Sequence, residues 1–158
     1  MAKSPRQAKP GRSRPGSLKK ESLGLRLLAT IPSTFAAVES VLGRIISLAR
    51  EMSCGKGLLE DVEVALREAL VNAVVHGNRQ DPKKQVVVRC FCQQDRGMLL
   101  VVEDEGPGFD PNKVPDPTHG ERLFETHGRG LYLIRRSVDR VRFSKSGRRV
   151  TMVKRSRK

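Results

Sequence analysis

Glu68 and Asn72 stand four residues apart in the run Glu68-Ala69-Leu70-Val71-Asn72-Ala73-Val74-Val75-His76-Gly77-Asn78. On a helix that spacing places both side chains on one face, where a carboxylate and an amide oxygen can address the same metal-phosphate group. The same pair also occurs on plain solvated faces. A second segment, Asp104-Glu105-Gly106-Pro107-Gly108-Phe109-Asp110, follows an apolar run. An acid at a strand end with two alternating glycines sets a hydrogen-bond acceptor beside backbone that a flat ligand can approach, although a simple glycine-rich turn reads alike. The third segment, Gly128-Arg129-Gly130-Leu131, opens a helix. Glycines there leave N–H groups free for phosphate oxygens and the helix dipole favours their charge; a capping turn is the other reading. A dinucleotide fingerprint is not the source of these glycines, because a long loop precedes them and no full GxGxxG is present.

The elements that must position these residues follow from periodicity and punctuation. Leu25 to Ile31 reads as a first strand ending at Pro32, with Ser33 as the N-cap of a helix. Phe35, Val38, Val41, Leu42, Ile45 and Ala49 recur at helical spacing, and Cys54-Gly55 supplies the stop. A second helix is expected from Leu58 to Val75. Its stripe of Leu59, Val62, Leu66, Leu70 and Ala73 faces the core, while Glu68, Asn72 and His76 form a separate polar stripe bordered by Ala65 and Ala69. Gln85 to Gln93 and Met98 to Asp104 make a hairpin around Asp95-Arg96-Gly97. Residues 106 to 128 hold four prolines and four glycines, which is the composition of a lid or binding loop. Leu131 to Val138 gives a third helix, and Arg140 to Ser144 with Arg148 to Arg155 gives a last hairpin around Ser146-Gly147. This order predicts an α+β two-layer sandwich, a mixed sheet with its helices on one face.

The net charge of +14 over 158 residues is uneven. Residues 1–26 carry +7, residues 135–158 carry +10, and the middle is slightly acidic. Basic ends attract nucleic acid, an anionic membrane surface or an acidic protein face, and they also serve as solubilising tails. Residues 1–23, rich in Pro, Gly, Ser, Lys and Arg, are expected to be a disordered basic tail, with the folded domain spanning 24–158. No run is long and apolar enough for a membrane span or secretory signal, so a cytoplasmic protein without membrane insertion is expected. Cys54, Cys90 and Cys92 are odd in number and lack CxxC spacing, so neither a disulfide framework nor a zinc site is expected. Cys90 and Cys92 should share one strand face as small core residues. His76 reads as helix-end packing or capping, His119 and His127 as lid residues, and Arg135 and Arg136 as a solvated or partner-facing pair.

Occurring together and in this order, the three segments resemble the N box and the two glycine boxes of the GHKL ATPases, whose ATP-binding domain is the Bergerat fold. The wording of the lid is similar to that of the anti-sigma-factor serine/threonine kinases: Gly108-Phe109-Asp110-Pro111, then Val114-Pro115-Asp116-Pro117, then Gly128-Arg129-Gly130-Leu131-Tyr132-Leu133-Ile134. The resemblance covers about residues 24 to 155. It implies that Asn72 binds Mg²⁺ bridging the ATP phosphates and that Glu68 is the general base. It implies that Asp104 accepts from the adenine amino group, that Gly106 and Gly108 shape the adenine pocket, and that Gly128, Arg129 and Gly130 meet the phosphates. Thr151 would assist adenine through water. The implied activity is phosphorylation of an anti-sigma-factor antagonist together with sequestration of a sigma factor, with a homodimer as a further mode of assembly. The alternative is a nucleotide-binding interaction module with little catalysis that docks a protein or nucleic acid through its basic ends.

Overall fold

The computed structural model describes residues 24–54, 57–114 and 128–157. The basic tail, the helix stop at Gly55, and the loop positions Pro115, Pro117, His119, Gly120 and His127 lie outside the described residues. β1 (Leu25–Pro32) turns Leu27, Ala29 and Ile31 towards the core, as the two-residue period of a strand requires. α1 (Phe35–Glu51) follows at once. Its N-cap is Thr34, whose hydroxyl accepts from the Ala37 N–H at 3.3 Å, and not Ser33, which is buried one residue earlier. α2 (Leu59–Asn72) runs straight into a π-helical turn (Ala73–Gly77) that the sequence reading had continued as regular helix to Val75.

β2 (Gln85–Gln93) and β3 (Gly97–Glu103) form the expected hairpin. α3 (Arg129–Ser137), β4 (Arg140–Ser144) and β5 (Arg149–Arg155) complete one five-stranded sheet of order β1-β2-β3-β5-β4. Every neighbouring pair is antiparallel, which corrects the expectation of a mixed sheet. The physical reason is in the connections. Two helices, α1 and α2, separate β1 from β2, so the chain reverses three times and β2 runs opposite to β1. One helix separates β3 from β4, which do run in the same direction, but β5 lies between them.

The three helices pack against one face of this sheet. Leu66, Leu70, Leu100, Ile134 and Met152 are fully buried between the two layers. Burying each such side chain contributes about 1.5–3 kcal/mol, so this layer is the main support of the fold. Lys154 is also buried there, and its ammonium donates to Asp61 and to the Ser137 carbonyl, both at 2.7 Å. It thereby joins the start of α2, the end of α3 and β5.

Cys90 and Cys92 do share the core face of β2. Cys92, however, is joined in a disulfide to Cys54, with Cα atoms 5.9 Å apart, which corrects the expectation that no disulfide is present. Thirty-eight residues separate the two in sequence, and only the packing of the end of α1 on β2 brings them together. Cys90 stays free, and burial pushes its thiol pKa up to about 12.

Candidate functional site

Between α2, α3, β3 and β5 lies a cavity of about 300 Å³, within the range of small-ligand sites. Its apolar walls come from Ala69, Val102, Leu131, Ile134 and Val150, with Phe109 and Phe143 meeting edge to face at 5.6 Å. Asp104 is the carboxylate in the wall. It sits where β3 ends, held by its own N–H donating to the Arg148 carbonyl at 3.0 Å. Its Oδ1 accepts the Gly106 N–H at 2.7 Å.

The approach of backbone to this carboxylate is closer than any side chain would allow. A Cβ at Gly77 would stand 2.3 Å from Asp104 Cγ, and one at Gly106 would stand 2.0 Å from the Gly77 carbonyl oxygen. Burial pushes the Asp104 carboxyl pKa above the ordinary aspartate value, partly offset by the Gly106 N–H and by the charge of Arg148.

The π-helical turn explains how Gly77 gets there. Five residues in its wider coil carry the chain past Asn72, and the Asn78 N–H closes it on the Ala73 carbonyl at 2.8 Å. Such insertions are frequent at functional sites. Asn78, fully buried, then clamps the segment: its Oδ1 accepts the Glu105 N–H at 2.8 Å and its Nδ2 donates to the Gln85 carbonyl at 2.9 Å. Glu105 returns the link by accepting the Gln85 N–H at 2.5 Å. Asn78 was legible in the sequence only as a residue following Gly77; its bonds span 7 and 27 residues.

At the other end of the cavity α3 begins at Gly128, whose φ of 89° is left-handed, so glycine is the natural residue there. The first-turn N–H groups of α3 have no helical acceptor, which makes this end a place for an anion. Gly130 is pressed against α2: a Cβ there would be 2.9 Å from Glu68 Oε2 and 3.2 Å from Asn72 Oδ1. The carboxylate and amide of α2 therefore meet the start of α3 with no side chain between.

The structure thus gathers Asn72, Asp104, Gly108, Gly128 and Gly130 around one cavity. Glu68 and Gly106 stand directly behind wall residues. Arg129 is exposed at the start of α3, outside the cavity wall. His76 lines the cavity and is exposed, so it does not pack at the helix end as its position suggested.

Thr151 is not brought in: Val150 points to the cavity, so Thr151 faces the opposite side of the sheet, which corrects its expected place beside a bound base. Phe109, Phe143, Val114 and Arg148 are wall residues that sequence reading did not assign. Phe109 carried a signal in its place directly after Gly108.

The arrangement offers an apolar slot with a carboxylate acceptor at its base, an anion-favouring helix start, and a pair of hard oxygen donors beside it. Those parts suit a flat, amine-bearing base, a phosphate chain and a hard cation respectively. The gap closed by Gly130 is the observation that fits a cation-phosphate group, because Glu68 and Asn72 converge there.

Comparison with known proteins gives the same direction. A family model for the histidine kinase-like ATPase domain matches residues 31–154. The chain is 36% identical over 103 residues to the serine-protein kinase RsbW of Bacillus subtilis strain 168, covering 61% of this chain and 64% of that protein. It is 32% identical over 114 residues to RsbW of Bacillus licheniformis, covering 68% and 71%, and 30% identical over 100 residues to the anti-sigma F factor of Clostridium acetobutylicum, covering 62% and 68%. The match to the first of these spans just under two thirds of that protein's length. Among solved structures, the RsbU and RsbW domains of a Mycobacterium tuberculosis protein share the fold, with a TM-score of 0.58 at 21% identity, over 84% of this chain and 32% of that one.

Proposed function

Because the chain belongs to the histidine kinase-like ATPase domain family, we propose that its cavity binds Mg-ATP and that the protein transfers the γ-phosphate to a serine or threonine of a protein substrate. The observation that carries this reading is the Asp104 carboxylate seated on Gly77 and Gly106 in the same cavity that receives the start of α3. In the proposed complex Asp104 accepts from the adenine amino group and the apolar walls hold the ring. The N–H groups of Gly128, Arg129 and Gly130 face the phosphates. Mg²⁺, when bound, neutralises charge on the phosphate chain. Asn72 Oδ1 would hold it, and Glu68 would take the proton of the attacking hydroxyl. Thr151, which faces away from the cavity, has no part in this reading.

The names of the relatives supply the finer proposal. A serine-protein kinase and an anti-sigma F factor among them support a substrate that is an anti-sigma-factor antagonist, and a second partner that is a sigma factor. No helix among the described residues is long and apolar enough to cross a membrane. The test is calorimetry with ATP and GTP, followed by transfer of labelled γ-phosphate to candidate anti-sigma-factor antagonists from the same organism and by binding of candidate sigma factors. Selective ATP binding with labelling of the antagonist is the expected result. Equal affinity for GTP, or ATP binding with no labelling of any such protein, overturns the kinase reading.

The second reading, a nucleotide-binding interaction module with little catalysis that docks a partner through its basic ends, takes its support from exposed arginines on the sheet. Arg26, Arg140, Arg142 and Arg155 form no side-chain ion pair or hydrogen bond among the described residues.

A further inference from the structure

The helices cover one face of the sheet; the other is open among the described residues, and strand register determines what it displays. One row across the five strands reads Arg140, Val153, Leu99, Phe91, Arg26. The next reads Arg142, Thr151, Val101, Arg89, Leu28. The centre is an apolar strip of Val153, Leu99 and Phe91, with Phe91 38% exposed, and Leu28, 70% exposed, extends the apolar surface at the β1 edge. Arginines stand at both edges, Arg140 and Arg142 on β4 and Arg26 on β1. The acid on this face is Glu103, and it is already engaged by Arg89, Lys145 and Arg149.

The geometry points to this open face as a docking surface for a protein partner that presents an apolar ridge flanked on both sides by carboxylates. Five strands at about 4.8 Å spacing set the two arginine edges roughly 19 Å apart. A helix about 10 Å across fits between them, with its apolar stripe on Leu99, Phe91 and Val153 and its acidic flanks reaching either edge. Charge excludes a second copy and the chain's own tail. A second copy stacked about either in-plane two-fold axis would set an arginine edge on an arginine edge. Residues 1–23 carry seven bases and one acid, so the chain's own tail is repelled. A single-stranded nucleic acid would need stacking platforms, and Phe91 is the single aromatic among the residues of these rows. The inference is independent of the ATP-site reading, because none of these side chains lines the cavity.

The experiment uses the full chain and a synthetic amphipathic helix of about 20 residues with a leucine stripe flanked by glutamates. Binding is followed by fluorescence anisotropy beside three controls: the same peptide with lysines for glutamates, a single-stranded oligothymidine, and sedimentation of the protein alone. The expected result is saturable binding of the glutamate peptide, weakened about tenfold or more by R140E with R142E and by L28S with F91S. Raised salt should weaken it, and ATP affinity should be unchanged in every variant. Leu28, Arg140 and Arg142 are exposed, so those substitutions leave the core intact. Four outcomes overturn the inference: no peptide binding, equal binding of the lysine peptide, oligothymidine binding that R140E with R142E abolishes, or a dimer that L28S with F91S dissociates. Loss of ATP binding in the wild type would count against the kinase reading alone.

Discussion

Gly77 lies against the Asp104 carboxylate, so close that a methyl group added at Gly77 would stand 2.6 Å from both carboxylate oxygens. The two residues come from different elements, the π-helical turn and the end of β3, and the contact fixes where the acceptor points. Gly77→Ala should therefore displace Asp104 while leaving the layers packed, and ATP affinity should fall about 10–100-fold, the loss expected of one charge-assisted hydrogen bond. Asp104→Asn should cost a similar amount. The double variant should bind no worse than either single one, because both remove the same contact. Calorimetry on the three variants, with thermal midpoints to confirm folding, checks this; additive losses would mean that Gly77 acts elsewhere.

Asp104 also sets a trade between stability and binding. Burial, only partly offset by the Gly106 N–H and Arg148, holds its pKa above the unfolded value. A group raised in this way contributes stability that is complete below its unfolded pKa and is lost as pH rises through the folded pKa. Without nucleotide, Asp104→Asn should thus melt above the wild type at neutral pH, and the gap should close as pH falls towards about 4. Adding ATP should raise the wild-type midpoint far more than the variant's. Melting curves over that pH range, with and without ATP, decide it.

Glu68 and Asn72 should fail differently although they are one helical turn apart. Glu68→Gln keeps size and hydrogen bonding but removes the base, so Mg-ATP should still bind while transfer slows about 10²–10⁴-fold. Asn72→Ala should lose magnesium-dependent binding and transfer together. Parallel measurement of ATP affinity and of γ-phosphate transfer separates the two.

The Cys54–Cys92 disulfide should respond to reductant. Closing a loop of this length stabilises by about 2–4 kcal/mol, so reduction should lower the thermal midpoint by roughly 5–15 °C. The Cys54→Ser, Cys92→Ser variant should be indifferent to reductant. Cys90, buried and with its thiol pKa pushed up to about 12, should resist alkylation at mildly alkaline pH until the protein unfolds. A wild-type midpoint that reductant does not move would show that the bond is not formed in solution.

The sequence by itself determined whatever depends on near neighbours. The four-residue spacing of Glu68 and Asn72 survives in α2 and both side chains meet Gly130, while the acid and glycines after β3 lie at the cavity as a local turn must place them. Helix and strand positions came from periodicity for the same reason. Contacts between distant segments were decided by the tertiary structure: Gly77 under Asp104, Phe109 against Phe143, Asn78 bridging two loops, and Cys54 bonded to Cys92. The face of Thr151 belongs with them. In Arg149-Val150-Thr151-Met152-Val153-Lys154-Arg155 apolar residues fall in both phases, and the charged Lys154 is the inward one because Asp61 and the Ser137 carbonyl satisfy its ammonium. A strand's period is written in its residues, but its phase is set by the partners that wait on each side, and those are supplied by chain far away.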